Sequence, residues 1–118
     1  MDYKRIYNDI MNIDPKIRLV TICDNDGKIM CSVHREGVNN LLSPEESKKS
    51  LELAVNSWKI RTKLASKIGK GKYVLAEYEK VKRITMPLDD KHILYVTTEV
   101  ECDHSKIIDR IQRLEYIF

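Results

Sequence analysis

The chain has 118 residues, enough for one domain whose core buries roughly two thirds of the unfolded surface without help from metals or disulfides. It is 42% hydrophobic and 33% charged, and a net charge of +3 does not by itself imply a nucleic-acid ligand. No apolar run approaches the roughly 18 residues of a membrane span, the start MDYKRIYNDI is no secretory signal, and three cysteines make no disulfide framework, so the expected setting is the reducing cytoplasm.

Tyr3, Ile6, Tyr7, Ile10 and Met11 recur at helical spacing and predict a short amphipathic helix that Asp14-Pro15 ends. IRLVTIC (Ile17 to Cys23) is β-branched and apolar on both faces, as an interior strand must be. Asp24-Asn25-Asp26-Gly27 is a turn, and KIMCSVH (Lys28 to His34) returns as the second arm of a hairpin. A loop then leads to Ser43-Pro44-Glu45-Glu46, where Ser43 caps, Pro44 suits the first turn and Glu46 completes a capping box. The helix it opens should run to about Ile68, with Gly69 as its left-handed stop. Tyr73–Glu79, Val81–Leu88 and His92–Glu99 read as strands, and Asp103 or Ser105 caps a last helix carrying Ile107, Ile108, Ile111 and Leu114. The order is α-β-β-α-β-β-β-α, an α/β (α+β) fold, and the short strand connections predict a mainly antiparallel sheet.

The central helix carries two apolar stripes. With Leu51 at zero on a wheel of about 100° per residue, Val55, Trp58, Thr62 and Ala65 fall within about 40° of it. Leu53, Ile60 and Leu64 cluster near 200°, almost opposite. A helix on one sheet needs one stripe. In so small a domain the second predicts a partner, most simply a second copy of the chain. The stripe with Trp58 should face the sheet.

IGKGKY at residues 68–73 invites a phosphate-cradle reading, but such a loop needs a strand before it and a helix after it. Here the order is reversed, and the lysines sit where they offset the negative end of the helix dipole. Gly69 is therefore a helix stop and Gly71 a loop residue. Lys59, Arg61, Lys63, Lys67, Lys70 and Lys72 still form a run of six cations with no acid between them, a solvated basic face that could meet an acidic partner. Aromatic residues are sparse around it, which disfavours nucleic acid.

Catalytic and metal sites are not indicated. Cys23, Cys31, Cys102 and His104 are the one set with metal-ligand chemistry, and hairpin parity would place Cys23 and Cys31 on one sheet face. They lack paired CxxC spacing, so buried apolar roles are expected for Cys23 and Cys31. A Cys102/His104 nucleophile pair has no third orienting group. His34 and His92 read as surface residues at strand ends. Glu77, Glu79, Glu99 and Glu101 are expected to oppose Lys82 and Arg83 across the sheet. No cofactor is expected.

The hairpin VTICDNDGKIMCS and the run YEKVKRITMPLDDKHILYVTTE resemble the roadblock, or dynein-light-chain-like, family, whose fold is close to profilin and longin domains. The combination LLSPEE…W…R…IGKGKY…YEKVKR also resembles a group of uncharacterised archaeal proteins, and implies no activity. The family resemblance spans nearly the whole chain. It implies a single domain over 1–118, with a five-stranded antiparallel sheet, the central helix on one face and the terminal helices on the other. It also implies dimers built from paired central helices and the edge strand around Tyr73–Glu79, adding Tyr73 and Leu75 to Leu53, Ile60 and Leu64. Family members act as scaffolds or regulators, several for small GTPases. The long basic end of the central helix departs from the family pattern. The expected function is thus a non-enzymatic homodimeric interaction module, with a small-molecule sensor of similar fold as the alternative.

Overall fold

The most continuously apolar segments form the middle of one sheet. In the computed structural model, which describes residues 1–114, the elements are α1 (Tyr3–Met11), β1 (Ile17–Asp24), β2 (Ile29–His34), α2 (Pro44–Ile68), β3 (Val74–Glu77), β4 (Val81–Pro87), β5 (His92–Glu99) and α3 (His104–Gln112). The sheet order is β2-β1-β5-β4-β3, and every pairing is antiparallel. β5 is central and β1 and β4 flank it, which is why all three bury side chains on both faces. β2 and β3 are the edges and carry no buried residue.

Two cores sit on the two sides of the sheet. Ile6 and Ile10 of α1 and Ile107, Ile108 and Ile111 of α3 pack with Ile22, Ile84, Leu94 and Val96. On the other side, Leu51, Val55 and Trp58 of α2 pack with Cys23, Ile93 and Tyr95. Central helix on one face and terminal helices on the other is the expected arrangement.

Local chemistry sets the ends. Ser43 accepts from the Glu46 N–H at 3.1 Å, and the Glu46 carboxylate accepts from the Ser43 N–H at 2.9 Å. The box holds the Glu46 carboxyl below its ordinary range, first through that backbone hydrogen bond. Gly69 ends α2 at φ +92°, ψ 169°, a region open almost only to glycine, though it is not the left-handed helical geometry expected. Arg35 takes the last carbonyl of α1 and two that follow it: its Nη2 donates to Met11 O and Asp14 O, and its Nε donates to Ile17 O at the start of β1.

The hairpin register corrects one expectation. A bulge between Ile22 and Cys23 pairs Cys31 with Ile22, and Cys23 with Ile29. Ile22 belongs to the core under the terminal helices and Cys23 to the core under α2. Cys31 therefore shares Ile22's face, and the two cysteines lie on opposite sides of the sheet.

Candidate interaction surface

The second stripe of α2 is exposed. Leu53, Ile60 and Leu64 keep 68%, 60% and 47% of their surface in solvent, and Ile68, at 80%, extends the row by one turn. The sheet-facing stripe behaves as expected only as far as Trp58. Thr62 is exposed and Ala65 partly so, and no residue of α2 after Trp58 is buried. Ten residues at about 1.5 Å each place roughly 15 Å of helix beyond its own core. Helices in proteins draw most of their stability from tertiary packing, and this end has little of its own.

The edge strand β3 lies beside it, since Val74 packs into the core under α2. Tyr73 precedes β3 and is 48% exposed. Leu75 points the other way, pairs with Ile84 and packs against the core under the terminal helices. It can serve an interface through the free backbone edge of β3 rather than through its side chain.

Lys59, Arg61, Lys63, Lys70 and Lys72 line one groove of about 870 Å³ along the far half of α2, and Lys67 does not reach it. Trp58 lies at its base, with the Arg61 guanidinium 5.2 Å from the ring centroid. Asp89, Asp90 and His92 line the same groove, so its charge is mixed rather than uniformly basic. Gly71 is more than a loop residue: a Cβ there would lie 2.7 Å from the Trp58 ring. The chain after Gly69 folds back onto the indole, and only glycine leaves room.

His92 is no free surface histidine. Its Nδ1 lies 2.9 Å from the Asp89 carboxylate and its Nε2 3.3 Å from the Tyr3 hydroxyl, tying the β4–β5 turn to the start of α1. Burial opposes ionisation of Asp89, but hydrogen bonds from the Lys91 N–H and the His92 ring outweigh it and lower its pKa. His34 is exposed.

The cross-strand acids pair differently from expectation. Glu77 stands opposite Lys82, with 3.6 Å between charges, but Glu99 takes Arg18 at 2.7 Å. Lys82 is buried and its ammonium donates to Cys102 O at 3.1 Å and meets His104 Nδ1 at 2.9 Å. His104 therefore turns to Lys82 rather than to Cys102, whose sulfur lies 3.0 Å from Thr98 Oγ1. Burial, helped by the charge of Asp24, pushes the Cys23 thiol up to about 11, which suits an inert core thiol. Cys23, Cys31 and the Cys102/His104 pair occupy three separate places, and among the described residues no cluster of His, Cys, Asp or Glu could hold a metal. Among those residues no helix is long and apolar enough to cross a membrane.

By sequence the chain matches no family model and no curated protein. By structure it is similar to the gliding protein MglB of Thermus thermophilus, with a TM-score of 0.77 and 11% identity over 97% of this chain and 84% of that one. It is similar to a roadblock/LC7 domain of Streptomyces avermitilis, with a TM-score of 0.70 and 13% identity over 94% and 88% of the two chains. MglB of Myxococcus xanthus gives a TM-score of 0.71 and 14% identity over 96% and 90%. Element order, sheet order and these neighbours agree, and the chain has the fold of the roadblock/LC7 domain proteins.

Proposed function

We propose that the chain is a non-enzymatic, cytoplasmic interaction module that works as a homodimeric platform for a protein partner, a small GTPase or another signalling protein. The observation that carries this reading is the exposed row Leu53, Ile60, Leu64 and Ile68 on a helix that outruns its own core. Burying a large aliphatic side chain fully is worth about 1.5–3 kcal/mol, so a two-fold contact that covers four on each copy has a substantial apolar driving force. A structure of MglB in a tetrameric arrangement is among the neighbours and supports self-association. Acidic groups in the groove with the lysines favour a protein partner of mixed charge over a nucleic-acid backbone.

Light scattering on the wild type and on Ile60→Asp tests it. Ile60 is 60% exposed in the single chain, so the charge should cost the monomer no more than about 0.5 kcal/mol. In the paired helices each unpaired buried carboxylate costs about 3–5 kcal/mol. A wild-type dimer that becomes a folded monomer is expected. A wild-type monomer, or loss of the fold in Ile60→Asp, would overturn the reading.

A further inference from the structure

A second groove, of about 940 Å³, lies at the other end of α2, between its first turns, the loop before it and the part of the sheet that α2 leaves uncovered. Its floor is a row across three strands: Leu19 of β1 pairs with Thr97 of β5, which pairs with Arg83 of β4. Among the described residues, no carboxylate pairs with Arg83. Its Nη1 donates to Ser50 Oγ at 3.1 Å, and its guanidinium carbon sits 5.3 Å and 5.8 Å from the ring centroids of Tyr78 and Tyr95. Its Nε is buried with no hydrogen-bond partner among the described residues. Beside it, Thr97 is only 7% exposed and its hydroxyl also has no partner. The other arginine in the groove, Arg18, is already committed to Glu99 and to Asn39 O. Orphaned donors in so well satisfied a structure ask for an acceptor.

The walls describe the rest of the ligand. Ile29 and Leu41, 54% and 58% exposed, flank the groove, and Tyr78 is 47% exposed at the other side. These are apolar surfaces that a bound molecule would cover. Glu45 and Glu46 place two negative charges in the first turn of α2, Pro44 has no amide hydrogen and Ser43 takes the Glu46 amide, so the helix end is not the anion seat. Asp26, Glu52 and Glu79 line the groove with Lys48 and Lys80, and Arg18 is paired with Glu99, so the lining is close to charge balance and favours a singly over a multiply charged anion.

We infer that this groove binds a small singly charged carboxylate on an apolar body, the carboxylate accepting from the Arg83 guanidinium, with a side-chain shift that opens the buried Nε and the Thr97 hydroxyl to it. The volume suits one small organic molecule. A guanidinium already held between two rings and a serine loses little freedom on binding, which favours a paired carboxylate. None of Leu53, Ile60, Leu64 or Tyr73 lines the groove, so the inference does not depend on the dimer.

The test is isothermal titration calorimetry with sodium phenylacetate and sodium 4-methylpentanoate, against phenylacetamide as the uncharged match. One site per chain is expected for at least one carboxylate, at least tenfold tighter than the amide. Arg83→Gln should weaken that binding about tenfold or more, as the loss of a charge-assisted hydrogen bond predicts. Arg83→Lys, which keeps the charge but not the fork, and Thr97→Val should each weaken it several-fold and carry the test if Arg83→Gln does not fold. The Arg83 Nε–H resonance should move on titration. Equal affinity for acid and amide, no heat from either carboxylate at millimolar concentration, or full binding by folded Arg83 variants would overturn the inference.

Discussion

Gly71→Ala is the sharpest test of how the basic loop is held. The added Cβ would lie 2.7 Å from Cζ3 and 3.2 Å from Cη2 of Trp58, inside van der Waals contact. The indole cannot easily yield. It is 4% exposed, Arg61 covers its ring, and its Nε1–H donates to Thr85 Oγ1 at 2.9 Å. Relief therefore comes either from rotating Trp58 off Thr85, leaving two buried polar groups unpaired, or from moving the 69–73 loop away. Overpacking of this kind costs about 1–3 kcal/mol, and a lost buried hydrogen bond falls in the same range. At roughly 4–6 °C per kcal/mol for a domain of this size, the melting temperature should fall by roughly 4–18 °C. Trp58 is the one tryptophan in the chain, so its fluorescence should shift as well. A neutral Gly71→Ala with unchanged emission would refute the packing of this loop on the indole.

Gly69→Val should destabilise by about 1 kcal/mol or more through backbone strain alone, because Gly69 holds φ +92° with nothing within 4 Å of a Cβ; an unchanged denaturant midpoint would contradict that. Asp89 has a lowered pKa in the folded chain, so its contribution is fully present above the ordinary carboxylate pKa, about 4, and is lost as pH falls through the folded value. Melting temperatures measured across that acidic window should fall for the wild type and fall less for Asp89→Asn, and parallel curves would show that the Asp89 hydrogen bonds carry no stability.

Most of the fold was legible because it rests on local rules. The capping box at Ser43, the stop at Gly69 and the apolar runs of β1 and β5 each carry their signal within a few residues. The opposed stripes of α2 were legible for the same reason, as periodicity within one helix. What was hidden depends on tertiary neighbours. Nothing local says that Gly71 must clear an indole thirteen residues earlier, or that the Ile22/Cys23 bulge parts two cysteines that parity places together. Arg83 looked like a cross-strand partner for acids. Tyr78, Tyr95 and Ser50 surround it instead, and no pattern in β4 alone announces that. His92 likewise reads as a surface residue until Tyr3, 89 positions away, closes over it.

The charge along α2 also sets how two copies would pair. Its first half carries Glu45, Glu46 and Glu52 against Lys48 and Lys49, while from Lys59 to Lys72 there are six cations and no acid. A parallel contact would set the cationic ends side by side. An antiparallel contact centred on the exposed row, between Ile60 and Arg61, sets Leu53 against Ile68 of the second copy and brings Glu52 close to its Lys67 and Lys70. Each such exposed pair is worth about 0.2–1 kcal/mol, and the two-fold axis makes two of them. Reversing the charge with Glu52→Lys should therefore raise the dimer dissociation constant roughly two- to thirtyfold, and adding Lys67→Glu and Lys70→Glu should restore it. In a parallel pair Glu52 would face its own copy, and exchanging two acids for two lysines would leave the constant unchanged. Sedimentation equilibrium at low salt separates the two arrangements, and an unchanged constant in Glu52→Lys would exclude the antiparallel one.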